Sequence, residues 1–149
     1  MLRPVEHGDV RFMRDLLRHA YHWRLNEDPD LPVYRYVQSW GRPGDAGVIA
    51  FDVRGPFGAA WYRLFTAAAP GFGFVDERTP ELTIAVVPGR RGGGVGRELL
   101  EALLARARSE GYEAVSLSAE RGQNAFYERF GFAEVEDTGK AVTMRASLV

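Results

Sequence analysis

A chain of 149 residues with 46% hydrophobic and 12% aromatic residues is long and apolar enough for one folded domain, expected to span residues 1–149. Its formal net charge of −1, with charges interspersed, argues against nucleic-acid binding, and the lack of cysteine excludes disulfides, thiolate metal sites and a cysteine nucleophile. Three scattered histidines argue against any other metal site, and no apolar run suits a membrane span or a signal peptide, so we expect a cytoplasmic protein.

The first half of the chain predicts a strand, a helix and a hairpin. Residues 1–6 predict a strand, and Asp9 is a candidate N-cap for a helix over residues 10–21. Residues 25–47 are dense in proline, aspartate, glycine and aromatic residues, which predicts a loop with one short helix at 33–39. Residues 48–53 and 59–65 predict strands joined by a turn at 54–58, and a loop at 67–79 leads to a fourth strand at 82–87.

The second half alternates helices and strands. Apolar residues at helical spacing predict a helix over residues 96–109, and Gly111 is typical of the residue just past a helix end. Residues 114–117 predict a strand, residues 123–130 a short helix stopped by Gly131, and residues 132–135 and 141–146 two closing strands. The predicted fold class is therefore α/β, a central mixed sheet flanked by helices.

A glycine-rich turn connects the strand at 82–87 to the long helix. It reads R-R-G-G-G-V-G over residues 90–96. Unpaired N–H groups and the helix dipole favour negative charge at such a point, so the turn predicts a phosphate or diphosphate site. A nucleotide P-loop is excluded because it needs a lysine, and the only lysine is Lys140. The dinucleotide pattern G-x-G-x-x-G also fails, because its spacing lands on Arg97 or Leu99.

Two segments carry a resemblance to a known family. Residues 91–96 have the form R-x-x-G-x-G between a strand and a leucine-rich helix, and residues 124–132 read N-A-F-Y-E-R-F-G-F about 30 residues further on. In both respects the chain resembles the GNAT superfamily of N-acetyltransferases. The resemblance implies a GNAT-like acyl-CoA transferase fold. It also implies transfer of an acetyl group from acetyl-CoA to a primary amine of a small molecule or peptide by direct attack. The excess of arginine over lysine is typical of a GC-rich bacterial genome.

The resemblance assigns acetyl-CoA as co-substrate and no metal. Backbone groups of the strand would pair with the pantetheine arm, and loop amides would hold the diphosphate, where glycines permit close backbone approach. The implied cofactor-binding residues are Ala85, Val86, Val87, Arg91, Gly92, Gly93, Gly94, Val95, Gly96, Arg97 and Asn124. Arg90 suits a phosphate contact and a solvated surface position equally well.

Acyl transfer to an amine requires removal of a proton from the amine and benefits from a proton donor to the departing thiolate. By resemblance Tyr127 is the candidate general acid, and the alternative is a core aromatic residue that packs the short helix. Glu81, just before the central strand, is the leading candidate for the general base, with an ordinary strand-edge charge as the alternative. Asp76 and Glu77 are weaker candidates.

One residue departs from the family pattern. The family's asparagine often stands seven residues before the tyrosine, where this chain has Glu120. Asn124 therefore either substitutes for it or serves as an N-cap or first-turn residue. The departure keeps open a non-catalytic CoA-binding sensor or interaction module of the same fold. A separate alternative is a purely structural or partner-binding domain whose glycines only form turns.

The acceptor pocket is expected between the first helix and the second strand. Its candidate side chains are Tyr21, His22, Trp23, Tyr34, Tyr36 and Trp40 together with Glu27, Asp28 and Asp30. Aromatic and acidic groups suit a cationic amine, and the alternative is a solvated acidic loop over a core aromatic cluster. His22 is a candidate second base, although a lone histidine is more often structural. The sequence leaves the acceptor, the natural acyl group and homodimerisation open.

Overall fold

The computed structural model describes residues 1–21, 33–139 and 141–149. Its strands are β1 (Leu2–Pro4), β2 (Ala46–Asp52), β3 (Gly55–Arg63), β4 (Glu81–Val86), β5 (Ala114–Glu120), β6 (Phe132–Asp137) and β7 (Ala141–Ser147). The α-helices described are α1 (Val10–Ala20), α2 (Val95–Ser109) and α3 (Asn124–Glu128), and short 3-10 helices cover His7–Asp9 and Val33–Tyr36. The strands form one mixed sheet in the order β1-β2-β3-β4-β5-β7-β6, which confirms the predicted α/β class.

The chain divides into two compact units. Unit 1 comprises Met1–Tyr62 and Thr83–Ala105, and unit 2 comprises Arg63–Leu82 and Arg106–Val149. Strands β3 and β4 each contribute residues to both units. The expectation of a single domain over residues 1–149 stays a prediction.

The β2–β3 hairpin in unit 1 is tighter than the sequence predicts. Asp52 lies opposite Gly55, so only two residues form the turn. The predicted turn over residues 54–58 is wrong, because Pro56 and Gly58 are part of β3. The register shifts between Ala50 and Phe51 on β2, which are paired with Gly58 and Pro56. A β-bulge of this kind accommodates a proline that cannot donate to the ladder.

The helix α2 covers one face of the unit 1 sheet. Its buried leucines in this unit are Leu99, Leu100, Leu103 and Leu104. A Cβ added to Gly58 on β3 would lie 3.2 Å from the Leu99 side chain and 3.4 Å from the Val86 side chain on β4. Glycine at this position therefore lets the helix approach the two strands closely.

The N-terminal region shows a role for Asp9 that the sequence did not predict. Asp9 occupies the N-cap position of α1 but makes no side-chain cap bond. Its carboxylate instead accepts hydrogen bonds from both Nη groups of Arg3, at 2.7 and 2.8 Å, and from the Glu6 N–H at 2.8 Å. The Arg3 hydrogen bond lowers the pKa of Asp9. A bidentate guanidinium contact is stronger than a neutral cap, which explains the difference.

Unit 2 consists largely of an antiparallel ladder. β5 pairs with β7 from Ala114 opposite Ser147 to Glu120 opposite Ala141, and β7 pairs in turn with β6. β4 joins β5 in parallel, with Glu81 opposite Ser116. This pair fixes the position of the first residue of β4 within the unit.

The ends of the helices follow local sequence signals. After α2, the Tyr112 N–H donates to the Ala107 carbonyl and the Gly111 N–H donates to the Arg108 carbonyl. This is a Schellman motif, and it confirms Gly111 as the residue past the helix end. The helix expected at 33–39 is shorter, a 3-10 helix over Val33–Tyr36. Within the described ranges, no helix is long and apolar enough to cross a membrane.

Candidate functional site

The turn between β4 and α2 presents a row of free N–H groups. Gly92 and Gly94 have φ values of 90° and 79°, a left-handed backbone that strains any residue with a side chain. The first turn of α2 closes with the Glu98 N–H donating to the Gly94 carbonyl at 3.1 Å. In the part of the chain that the structure covers, the N–H groups of residues 92–97 donate no hydrogen bond. Successive N–H groups in a turn at a helix N-terminus form a site for an anion.

Two arginines border this row. The Nε–H of Arg91 donates to the carbonyl oxygen of Val86 at 3.2 Å. Arg97 lies in the first turn of α2, where its Nε is 3.7 Å from Glu101 and its side chain is 72% exposed. An exposed pair of this kind contributes little, about 0–1 kcal/mol, and leaves Arg97 able to turn toward an anion.

Arg90 has a different role from either alternative that the sequence suggested. Its Nη2 lies 2.5 Å from Asp52, and its guanidinium lies 4.0 Å from the ring centre of Phe57. The Arg90 hydrogen bond is the main cause that lowers the pKa of Asp52. Arg90 therefore anchors the start of the loop to the β2–β3 hairpin, with an ion pair and a cation–π contact.

The three residues expected to pair with a pantetheine arm, Ala85, Val86 and Val87, differ in the direction of their backbone N–H and carbonyl groups. The Val87 N–H donates to the Phe57 carbonyl of β3 at 2.8 Å, and the Val87 carbonyl accepts the Arg90 N–H. Backbone groups of successive strand residues point to opposite neighbours. Ala85 therefore directs its groups toward β3 like Val87, and Val86 directs its groups away from β3. Of the three, Val86 is the residue whose N–H is suited to an extended ligand, while its carbonyl already accepts the Arg91 Nε–H.

Glu81 is buried at the start of β4. Its side chain is 1% exposed, whereas an ordinary strand-edge carboxylate would reach solvent. Ser116, opposite Glu81 on β5, is also buried, and its N–H donates to the Pro80 carbonyl at 3.0 Å. Among the residues that the structure describes, the Ser116 Oγ has no hydrogen-bond partner. Glu81 thus lies beside a second polar side chain in unit 2.

The two weaker base candidates stabilise their own loop. Asp76 accepts the Arg78 N–H at 2.9 Å, and its pKa is lowered mainly by a hydrogen bond from the Thr79 side chain. Glu77 accepts the Ala67 N–H at 2.9 Å. Both carboxylates are exposed. These contacts explain Asp76 and Glu77 as residues that shape the loop before β4.

Tyr127 lies in α3 among other aromatic rings of unit 2. Its ring centre is 5.1 Å from that of Phe126 and 5.9 Å from that of Phe132, both in edge-to-face geometry. Part of its surface is exposed, yet burial raises the pKa of Tyr127 to about 12. The phenol is therefore protonated throughout the physiological pH range.

Asn124 is the first residue of α3. The N-cap is Gln123, which makes no side-chain cap bond. Asn124 thus occupies the first helical turn rather than the cap. Its role as a substitute for the family's asparagine stays a prediction.

Two of the aromatic residues expected near the acceptor, Tyr21 and Tyr36, belong to a buried cluster in unit 1. The rings of Tyr21 and Tyr36 stack with centres 5.0 Å apart. The Tyr21 hydroxyl lies 3.1 Å from the Thr83 hydroxyl, and the Trp61 Nε1–H donates to the Tyr36 carbonyl at 3.0 Å. Thr83 and Trp61 complete this cluster, and the sequence did not predict either of them. A threonine in the apolar run of β4 was the available signal.

The remaining acceptor candidates are only partly described. His22, Trp23, Glu27, Asp28 and Asp30 lie outside the described residues. Tyr34 is 49% exposed and faces the guanidinium of Arg14 at 5.8 Å. The described residues that line a pocket of about 430 Å³ beside it are Arg14, Tyr34, Arg35 and Gln38. Trp40 is partly exposed.

The described residues include no candidate metal site. No group of three or more histidine, aspartate or glutamate side chains there is arranged to hold a metal ion. Unit 1 contains the anion-binding turn, and unit 2 contains a buried carboxylate and a protonated phenol.

Three solved structures illustrate the fold. The ribosomal-protein-alanine N-acetyltransferase of Brucella melitensis has a TM-score of 0.71 at 21% identity, over 99% of both chains. An N-acetyltransferase of Staphylococcus aureus Mu50 has a TM-score of 0.75 at 16% identity, over 100% of this chain and 98% of the other. The PaiA N-acetyltransferase of Thermoplasma acidophilum, in complex with coenzyme A, has a TM-score of 0.69 at 14% identity, over 99% and 98% of the chains. At such identities the likeness shows the fold alone.

Sequence comparison is decisive for the family. No curated protein sequence matches the chain. Residues 10–132, however, match the acetyltransferase (GNAT) family, and this range covers most of the chain and both units. The resemblance expected from the loop and the tyrosine segment is thereby confirmed. The chain belongs to the GNAT acetyltransferase family.

Proposed function

We propose that this protein transfers an acetyl group from the thioester of acetyl-CoA to a primary amine of a small molecule or peptide. Acetyl transfer is the activity of the family to which the chain belongs. A structural neighbour, the phosphinothricin acetyltransferase of Sinorhizobium meliloti, was solved in complex with AcCoA. The observation that carries the proposal is the row of unpaired N–H groups at residues 92–97, at the start of α2.

The donor half of the proposal follows from charge and geometry. The diphosphate of coenzyme A is an anion that the free N–H groups and the N-terminal dipole of α2 stabilise. Arg91 and Arg97 add charge-assisted hydrogen bonds, which are about twice as strong as neutral ones. The Val86 N–H, which points away from β3, suits a carbonyl oxygen of the pantetheine arm. Each of these groups is on β4, the loop or the first turn of α2.

Tyr127 is proposed to serve the leaving group. When the C–S bond breaks, negative charge develops on sulfur, and a protonated phenol can donate a hydrogen bond to it. A pKa of about 12 lies roughly 3.5 units above that of an ordinary thiol, so complete proton transfer would be uphill by about 5 kcal/mol. Tyr127 therefore contributes mainly through a hydrogen bond that strengthens as the thiolate forms.

Glu81 is proposed to receive the proton of the amine, directly or through a water molecule. The amine nitrogen forms the new C–N bond to the carbonyl carbon and must lose one proton to become a neutral amide. Glu81 is buried at the start of β4, away from bulk solvent, where a carboxylate can accept this proton. No covalent enzyme intermediate is needed, which suits a chain without cysteine.

The test is direct. The protein is incubated with acetyl-CoA and a panel of amines, with thiol release followed colourimetrically and CoA binding followed by calorimetry. Turnover with at least one amine, together with CoA binding, is the expected result. CoA binding with no turnover across the panel would favour a non-catalytic sensor or interaction module. Absence of both would remove the proposal.

A further inference from the structure

The exposed face of α1 in unit 1 carries arginines that the proposed function does not use. Arg11, Arg14 and Arg18 are three and four residues apart, which makes them neighbours along one side of the helix. All three side chains are exposed, and among the described residues none of them forms an ion pair or donates a hydrogen bond. Arg18 lies in the last turn, where the helix dipole favours positive charge, but Arg14 lies in the middle of the helix. The position of Arg14 therefore has no explanation within the helix itself.

Arg14 borders a cavity in unit 1. The cavity has a volume of about 430 Å³, and the described side chains that line it are those of Arg14, Tyr34, Arg35 and Gln38. Sites for small molecules have volumes of about 300–1,000 Å³, so this cavity, here called the Arg14 pocket, is large enough to hold one. Two arginines on different elements, α1 and the 3-10 helix over Val33–Tyr36, thus reach the same concave surface.

The Tyr34 ring orders Arg14 at the pocket. The guanidinium carbon of Arg14 lies 5.8 Å from the centre of this ring, which is within the range of a cation–π contact. Val33 and Tyr36, on either side of this stretch, are buried and fix the short helix to the core of the unit. A side chain that is already ordered loses less freedom when it binds a ligand. The ring contact uses the face of the guanidinium and leaves its N–H donors available.

The lining of the Arg14 pocket favours one class of ligand. Arg14 and Arg35 carry positive charge and Gln38 has an amide donor, and the described lining includes no carboxylate. Asp15 follows Arg14 directly in sequence, a spacing at which helical side chains do not face each other. Guanidinium groups match the oxygens of carboxylates and phosphates in bidentate geometry. Charge at this pocket therefore suits an oxyanion, in contrast to the cationic amine expected near Tyr34.

We propose that the Arg14 pocket binds a small molecule through a carboxylate or phosphate group, with Arg14 as the principal donor. Arg35 and Gln38 lie at the same surface and contribute to the orientation of the ligand. The inference does not depend on acetyl transfer, because it uses neither the N–H row at residues 92–97 nor the proposed catalytic residues.

The pocket is tested by nuclear magnetic resonance on the isotope-labelled protein, which needs no turnover. Inorganic phosphate and glutarate are titrated separately at constant ionic strength, with sodium chloride as the balancing salt. The side-chain signals of Arg14 Nε and Gln38 should shift and saturate with at least one of the two probes. The probe that binds more tightly identifies phosphate or carboxylate as the preferred group. Absence of saturable shifts with both probes would overturn the proposal.

Two variants separate a built pocket from general attraction to positive charge. Arg14→Gln removes a charge-assisted donor, so the affinity for the probe should fall about 10-fold or more. Arg11→Gln is the matched control, since it removes the same charge from the same exposed face but from a residue outside the described lining. It should change the affinity less than about twofold. Equal losses in the two variants, or unchanged affinity in Arg14→Gln, would overturn the pocket.

The same titration keeps the proposal distinct from the proposed function. The backbone amide signals of Gly92, Gly93 and Gly94 report phosphate at the N–H row separately from the signals of Arg14 and Gln38. Saturable shifts at the pocket with no response of these glycines would weaken the proposed coenzyme A site and support the Arg14 pocket. Shifts of the glycines alone would support the coenzyme A site and overturn the Arg14 pocket.

Discussion

The Nε–H of Arg91 donates a hydrogen bond to the Val86 carbonyl oxygen across 3.2 Å, which folds this side chain back onto the end of β4. Its neighbour Arg90 points elsewhere and pairs with Asp52 over the ring of Phe57. The two adjacent arginines therefore have different structural roles. Arg91 borders the row of free N–H groups, and Arg90 fixes the loop to the β2–β3 hairpin.

Replacement of Arg91 should weaken coenzyme A binding. Arg91→Gln removes a charge-assisted hydrogen bond to phosphate, so we expect about 10-fold or greater loss of affinity, with a weaker dependence on salt. Arg90→Gln is the control, and it should change the affinity less than about twofold. It should instead lower the unfolding midpoint, because it removes the Asp52 pair. Calorimetric titration with coenzyme A measures the affinity of both variants. Equal losses of affinity would contradict this division of roles.

Tyr127→Phe should separate catalysis from binding. The variant keeps the ring contacts with Phe126 and Phe132 but loses the proton donor, so we expect kcat to fall by about 10²–10⁴-fold. Coenzyme A affinity should stay unchanged. Tyr112→Phe, a partly exposed tyrosine after α2, should keep full turnover. Full activity in Tyr127→Phe would exclude the proton-donor role.

The raised pKa of Tyr127 also predicts a loss of stability in alkali. The folded protein holds the phenolic proton up to about pH 12, whereas the unfolded chain releases it near the ordinary value of 10.0. Between these values the folded state binds more protons, so stability falls as pH rises, by up to about 3 kcal/mol. The unfolding free energy of Tyr127→Phe should decline less than that of the wild type over this window. If the unfolding free energies of the two proteins decline in parallel, Tyr127 is not desolvated in the folded state.

The contact between the Tyr21 and Thr83 hydroxyls predicts a stability effect in unit 1. Tyr21→Phe leaves the buried Thr83 hydroxyl without this partner, which should lower the free energy of unfolding by about 1–3 kcal/mol. Adding Thr83→Val should recover part of the loss, because neither polar group then remains. Urea unfolding of the three variants measures the effect. A double variant as unstable as the sum of the single ones would show that the contact does not couple them.

Local signals predicted the central part of the fold. The glycine turn, the helix after it and the position of Gly111 follow from the order of apolar, glycine and helix-forming residues, which each segment carries by itself. The hairpin was misplaced because Pro56 and Gly58 are typical turn residues, although in the folded chain a bulge and the approach of α2 place them within β3. Sequence pattern alone does not reveal that arrangement.

Contacts between residues that are far apart in the sequence were not predicted either. Asp9 was expected as a helix cap but binds Arg3, and Arg90 was expected at a phosphate or in solvent but binds Asp52. Arg63 stands in an apolar strand and is buried, which its own segment does not predict. Charge partners are set by strand order and register, which the local pattern does not encode.

We propose that the N–H groups of residues 92–97 hold the diphosphate of coenzyme A. Gly94 has a φ of 79°, so Gly94→Ala strains the turn that presents these groups, even though its Cβ would meet no atom within 4 Å. Gly89→Ala is the matched control, since Gly89 has open space, no left-handed backbone and a place before the N–H row.

Calorimetric titration of both variants with coenzyme A is the most direct measurement. Gly94→Ala should lose at least tenfold in affinity and Gly89→Ala should keep wild-type affinity, with both proteins folded by circular dichroism. Wild-type affinity in a folded Gly94→Ala variant would contradict it.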